Sequence, residues 1–253
     1  MAESPNRMYS YDKDFYRYIN KGSSKSAHLV IPHIQALIPD PLRSVLDVGC
    51  GAGAWLEVWA SAGCEITGVD GPYVEEASLL IAPDKFQAHN LNDGFDLGIK
   101  FDLAQCLEVA EHLPTESSKQ LVASLCHHSD IVLFSAAAPG QGGENHVNEQ
   151  YYQYWRDLFL EQGFQLYDAV RPRLSGQSSI EPWYRYNSFL YVRQGTNQRC
   201  HTSLRAYAVD PATNPKDVSP VGYRIRKTLV RMLPQALSTK LAIAKKTILN
   251  FFK

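Results

Sequence analysis

Apolar positions along this chain change period several times, and the changes outline a fold before any single residue is considered. Between 24 and 38, Leu29, Val30, Ile34, Leu37 and Ile38 share one helical face. Pro32 is expected near the first turn of that helix, and Pro39 and Pro41 end it. From Ser44 onward short apolar runs alternate with helical stretches. Strands are predicted at 44–48, 65–69, 85–88, 101–106, 130–136, 164–170 and 187–193, and helices at 54–62, 74–81, 115–127 and 148–162. Strands joined through helices need crossovers, so the expected class is α/β: a doubly wound sheet, mostly parallel, with helices on both faces. Only a polar stretch with Pro172, Gly176 and Pro182 separates the last two strands, so the last is expected to run antiparallel.

The two ends depart from this pattern. Residues 1–20 are polar and carry Tyr9, Tyr11, Phe15, Tyr16 and Tyr18, which fits either a surface segment docked by its aromatics or a lid. Residues 196–220 are polar and loop-like. Residues 221–253 then recur in helical period (Ile225, Leu229 and Met232, then Leu237, Leu241, Ile248 and Phe252), interrupted by Pro234. This tail carries eight basic residues, and no acidic residue follows Asp217. It reads either as a helix packed on the core with a solvated basic face or as peripheral attachment to an anionic membrane. The expected organisation is a helical cap over 1–40, a core over 41–195, and a linker with a basic amphipathic tail over 196–253.

Composition narrows the class without choosing a function. A chain of 253 residues, 45% hydrophobic and 20% charged, builds one large soluble domain with appendages. Its net charge of −1 gives no general attraction to nucleic acid. Cys50, Cys64, Cys106, Cys126 and Cys200 are odd in number and lack paired spacing, which points to reduced thiols and a cytoplasmic setting. The N-terminus has no apolar leader, and no apolar run reaches membrane-spanning length.

The candidate chemistry starts at Val45-Leu46-Asp47-Val48-Gly49-Cys50-Gly51-Ala52-Gly53-Ala54-Trp55, a buried strand that enters a glycine loop and then a helix. Gly49-x-Gly51-x-x-Ala54 satisfies a dinucleotide fingerprint, with Asp70 where a ribose acid belongs. Asp47 argues otherwise, because a fixed carboxylate beside a pyrophosphate would be repelled, whereas an ammonium would be attracted. Asp47-x-Gly49-x-Gly51-x-Gly53 resembles motif I of the class I S-adenosylmethionine (SAM)-dependent methyltransferases, whose fold is a Rossmann-like seven-stranded sheet. The resemblance implies that Gly49, Gly51 and Gly53 wrap the methionine half of SAM, with Asp47 orienting it. It further implies that Asp70 holds the ribose hydroxyls, that Asn90 and Leu91 meet the adenine, and that Cys106 sits beside the methionine amine.

A second segment, Cys106-Leu107-Glu108-Val109-Ala110-Glu111-His112-Leu113-Pro114, resembles the E-x-x-E-H segment of a branch that includes the ubiquinone-pathway O-methyltransferases. Some members with this segment, such as the small-RNA 2′-O-methyltransferases, hold a divalent ion with both acids, that histidine and a later one. The resemblance thus offers Glu108, Glu111, His112 and His146 as ligands for Mg²⁺, Mn²⁺ or Zn²⁺. Without a metal, Glu111, His112 and His146 are the candidate catalytic residues, either imidazole serving as general base. Glu111 and His112 could equally only cap a helix. Tyr151, Tyr152, Trp155, Trp183, Tyr184 and Tyr186, beside Arg171, Arg173 and Arg185, are candidates for the acceptor pocket. The implied activity is methyl transfer to a hydroxyl of a small molecule or glycan, with a sugar or lipid-linked saccharide favoured. An NAD-dependent dehydrogenase or epimerase and a non-catalytic SAM-fold interaction module are the alternatives.

Overall fold

A computed structural model of the chain describes residues 13–38, 40–196 and 202–251. Seven strands form one sheet: β1 (Ser44–Val48), β2 (Glu65–Asp70), β3 (Phe86–Ala88), β4 (Leu103–Leu107), β5 (Ile131–Ser135), β6 (Phe164–Tyr167) and β7 (Phe189–Arg193). Their order is β3-β2-β1-β4-β5-β7-β6, and only β7 runs antiparallel to its neighbours. The fold is therefore the expected doubly wound α/β sheet. The strand order reverses between β1 and β4, which pair directly, and crevices for ligands form at such a point beyond the carboxyl ends of the strands.

Alternation along β1 shows why both faces need cover. Val45 joins an apolar core with Ile34, Trp59 and Leu190, whereas Leu46 and Val48 join a second core with Leu121, Phe134 and Phe159. The first core lies under α1 (Lys13–Leu37) and α2 (Ala54–Ser61), the second under α3 (Ser118–His128) and α4 (Tyr152–Glu161). The short helices α5 (Arg171–Leu174) and α6 (Pro182–Asn187) extend the first face. They occupy the stretch whose sequence carries no helix period, because each is barely a turn or two long and starts at or beside a proline.

Several boundaries differ from the sequence expectation. α1 begins eleven residues earlier than predicted, which places Pro32 inside the helix rather than in its first turn. Tertiary packing tolerates the lost hydrogen bond, since Ile31 and Ile34 beside it are fully buried. The part of the N-terminal aromatic segment that holds Tyr9 and Tyr11 lies outside the described residues, as does Cys200. The helix predicted at 74–81 is only a 3-10 turn at Glu76–Ser78, hemmed between Pro72 and Pro83. α4 starts at Tyr152 instead of 148, because Asn148 is buried and donates its side-chain amide to the Ala110 carbonyl and the Ser118 hydroxyl.

The tail forms α7 (Val221–Arg231) and α8 (Gln235–Phe251), separated at Pro234. α7 lies on the loop after β5. Gly140 has φ 85°, and a β-carbon there would collide with the Lys227 carbonyl. Only glycine permits both that backbone angle and that approach. Arg226 donates to the Gln141 carbonyl at 3.0 Å, Gln235 to the His146 carbonyl at 3.0 Å, and Lys227 pairs with Asp217 at 2.5 Å. The inner side of the tail is thus packed on the core.

Candidate active site

A cavity of about 740 Å³ opens at the carboxyl ends of β1, β2 and β4. Its first half is built mostly from main chain. Gly49 has φ 79°, and a β-carbon there would collide with the Val109 side chain, so the loop closes against the β4 segment only because position 49 is glycine. The Gly49 amide donates to the Val69 carbonyl at 2.7 Å. Asp70 ties the loop together, accepting from the Gly51 amide at 2.7 Å, the Gly71 amide at 2.6 Å and the Tyr73 hydroxyl at 2.6 Å. Burial raises the Asp70 carboxyl above its ordinary value despite these bonds. Burial also pushes Asp47 up to about 7, with Gln105 opposing and Asp70 reinforcing the shift. Neither acid makes an ion pair among the described residues.

Of the residues expected to bind cofactor, Asp47, Gly49, Gly51, Asp70 and Leu91 line this cavity. Gly53 does not; with φ 89° it caps α2 and shapes the turn. Asn90 turns aside, donating to Asp93 at 2.7 Å and accepting from the Asn92 amide. Cys106 is fully buried within the sheet, where burial raises its thiol, and the next residue, Leu107, reaches the cavity instead.

The second half is built from side chains. Glu108 sits at φ 58° and accepts from Gln141 at 2.6 Å and Asn187 at 3.3 Å. Glu111 is fully buried, and neither of its carboxyl oxygens has a hydrogen-bond partner. Burial, then the nearby Glu108, holds its carboxyl well above the ordinary range. Burial lowers His112 to about 3, and His146 adds to the effect, which leaves a neutral imidazole of very low basicity. The two histidine rings meet edge to face at 4.8 Å.

His146 is held differently. Its Nδ1 bonds Glu149 at 2.8 Å, and Glu149 also accepts from the Gly140 and Gly142 amides at 2.6 and 2.7 Å. Burial alone would raise Glu149, but these bonds outweigh it and hold the carboxyl below its ordinary value. An ionised carboxylate on Nδ1 fixes the tautomer whose Nε2 is free to accept a proton. The resemblance to members with the E-x-x-E-H segment offers His146 as the later histidine; Glu149 escapes sequence reasoning, its only signal being the position three residues on, within the same loop.

One ligand atom from each of Glu111, His112 and His146 lies within 4.8 Å of the others, so the four-residue metal set narrows to three. Glu108 stands outside this group, engaged by Gln141 and Asn187. Two imidazoles and an unpartnered buried carboxyl suit a divalent ion.

The aromatic expectations divide. Trp183 and Tyr184 line the cavity, with Tyr184 against Trp55 at 5.1 Å and bonded to Ser23 at 2.9 Å. Tyr186 packs on Tyr223 instead. Trp155 is core, Tyr152 is buried on Asn187, and Tyr151 is exposed and bonded to Arg231, so these three do not line the cavity. Arg171 is committed to Asp168 at 2.6 Å, and Arg173 to the Ala169 carbonyl. The cations that do reach the cavity, Arg226 and Lys245, come from α7 and α8. Sequence reading missed both, because they lie beyond the core in the chain and reach it only through the packing of the tail.

The first half fits SAM. Two buried acids without cation partners suit a ligand carrying an ammonium and a sulfonium, a carboxylate at the end of β2 suits a ribose diol, and Leu91 and Leu107 suit a purine and a thioether edge. A family model described as a methyltransferase domain matches residues 24–171, more than half of the chain. The chain is 37% identical over 90 residues to the ubiquinone biosynthesis O-methyltransferase of Pseudomonas entomophila, covering 30% of this chain and 36% of that protein. It is 33% identical over 106 residues to the corresponding enzyme of Coxiella burnetii, covering 37% of this chain and 44% of that protein. The match thus spans less than half the length of these relatives. Among solved structures, the sugar N-methyltransferase of a Streptoalloteichus species has a TM-score of 0.55 at 19% identity, over 76% of this chain and 98% of that one. DesVI of Streptomyces venezuelae has 0.52 at 17%, over 73% and 100%. Both share the fold. The family match sets aside the dinucleotide reading of the glycine loop: the chain belongs to the methyltransferase-domain family and is a class I SAM-dependent methyltransferase.

Proposed function

We propose that this chain methylates a hydroxyl of a small molecule, with a sugar or lipid-linked saccharide as the favoured acceptor. The observation that carries the reading is His146 held on the ionised Glu149 in the same cavity as Asp47 and Asp70. SAM supplies a methyl group already activated on a sulfonium. What an alcohol acceptor lacks is somewhere to send its proton, since its own oxygen is a poor nucleophile until the O–H bond weakens. His146 Nε2 is the group suited to take that proton, contributing about 10²–10⁴-fold. His112, neutral and scarcely basic, would orient the acceptor or His146 rather than deprotonate it. The Glu111 carboxyl, in its protonated form, would donate a hydrogen bond to an acceptor oxygen. Trp183 and Tyr184 offer faces for a sugar ring, and Arg226 and Lys245 suit an anionic substituent such as phosphate.

A methyl-transfer screen over sugars, nucleotide sugars and phenols tests this reading. Methyl transfer to a sugar hydroxyl is the expected outcome, and exclusive transfer to amines would refute it. A second reading rests on the orphaned Glu111 beside two imidazoles: Glu111, His112 and His146 would hold a divalent ion, which polarises a bound hydroxyl. Elemental analysis and titration with EDTA separate the two, because full turnover in a metal-free sample excludes the ion.

A further inference from the structure

α7 is packed with its polarity reversed. Lys227 is its buried residue, whereas Val221, Ile225, Leu229 and Met232 are 62%, 57%, 60% and 77% exposed. Their spacing places all four on one stripe, opposite the side formed by Tyr223, Lys227 and Val230, which meets the cavity and the Gly140 loop. α8 adds Leu237 and Leu241, 43% and 52% exposed. Apolar side chains in this number and order form an exposed patch that calls for cover.

Charge indicates what covers it. From Val221 onward the chain has eight basic residues and no acidic one, although its net charge is −1. Arg224, Lys240 and Lys245 are exposed on the same two helices. A symmetric contact with a second copy would bring these cations against their own equivalents. Among the described residues no helix is long and apolar enough to cross a membrane, so a bilayer contact of these helices is made at its surface. We infer that α7 and α8 form an interfacial docking surface for anionic lipid, with the Val221–Met232 stripe at the boundary between headgroups and acyl chains. Leu241 and Lys245 are both exposed and part of the cavity lining, so docking would bring the cavity mouth to the lipid surface. Only the entry of a lipid-borne acceptor there rests on the methyl-transfer reading; docking itself does not.

The full chain should co-sediment with mixed phosphatidylcholine–phosphatidylglycerol vesicles, less so as salt rises, and not with pure phosphatidylcholine. Ile225→Glu with Leu229→Glu should weaken vesicle binding about tenfold or more. The thermal shift given by S-adenosylhomocysteine should persist in that variant, which reports an intact cofactor half and a folded core. Lys240→Glu, a surface change, should weaken binding to the anionic vesicles by a smaller factor. The proposal is overturned if the wild type ignores anionic vesicles, if the double variant binds them equally well, or if the wild type forms a dimer that the double variant dissolves. Loss of the S-adenosylhomocysteine shift in wild type, with vesicle binding intact, would count against the cofactor reading alone.

Discussion

The two halves of the cavity are made in different ways. On the β1–β2 side the chain presents main chain and one organising acid, Asp70, whose partners Gly71 and Tyr73 are close in sequence and Gly51 only 19 residues away. On the β4–β5 side it presents side chains, and they are gathered from afar: Asn187 reaches Glu108 across 79 residues, and Gln235 reaches the His146 carbonyl across 89. Main-chain geometry of the first kind resists change because it depends on φ angles and the absence of β-carbons. The second kind is adjustable, because each side chain can be exchanged while the sheet stays as it is. A shared cofactor and a variable acceptor call for this division.

The comparison breaks if changes on one side spill into the other. His146→Ala should lower turnover about 10²–10⁴-fold while leaving S-adenosylhomocysteine affinity unchanged by calorimetry; equal losses in both would make His146 structural. Glu149→Gln should do the same at about 10–100-fold, since the imidazole remains but its tautomer is no longer fixed. Asp70→Asn should act on the other side, weakening S-adenosylhomocysteine by about tenfold, because a charge-assisted hydrogen bond exceeds a neutral one by roughly 1–2 kcal/mol. Gly140→Ala should cost about 1–3 kcal/mol of stability through its collision with α7, read as a lower melting temperature.

The last expected effect, of similar size, concerns Asp47 and pH. The native carboxyl keeps its proton to about 7, whereas the ordinary value is 3.8. Between these values the native state holds more protons than the unfolded state, so the contribution to stability falls as pH rises and levels above 7. Melting curves of the ligand-free protein at pH 5 and 8 should show wild type losing roughly 5–10 °C relative to Asp47→Asn, at about 2–4 °C per kcal/mol. An identical slope in both proteins would remove Asp47 from this role.

Legibility in the sequence follows the same division. The sheet, Asp47, the glycine loop and Asp70 could be read because each depends on a local period or on short spacing. The choice between His112 and His146 could not, because it depends on burial around His112 and on Glu149 beside His146. The resemblance placed Asn90 at the adenine and Cys106 beside the methionine amine; neither lines the cavity, since Asn90 bonds Asp93 and Cys106 is buried in the sheet. The aromatic acceptor set mixed core with lining, since Trp155 and Trp183 look alike until packing separates them. The inverted burial of α7 was also hidden. Its amphipathic pattern is plain in the sequence, but no pattern says which side faces in.

The Gly140 contact also fixes an order of events. α7 follows every strand of the sheet in the chain, so during synthesis the strands and both groups of buried acids emerge before the helix that rests on them. A chain cut before Val221 would carry every strand and both groups of acids, yet lack the crevice wall that α7 and α8 supply. In the finished fold that wall includes Leu241 and Lys245, so the last two helices decide how wide the crevice stands to whatever enters it.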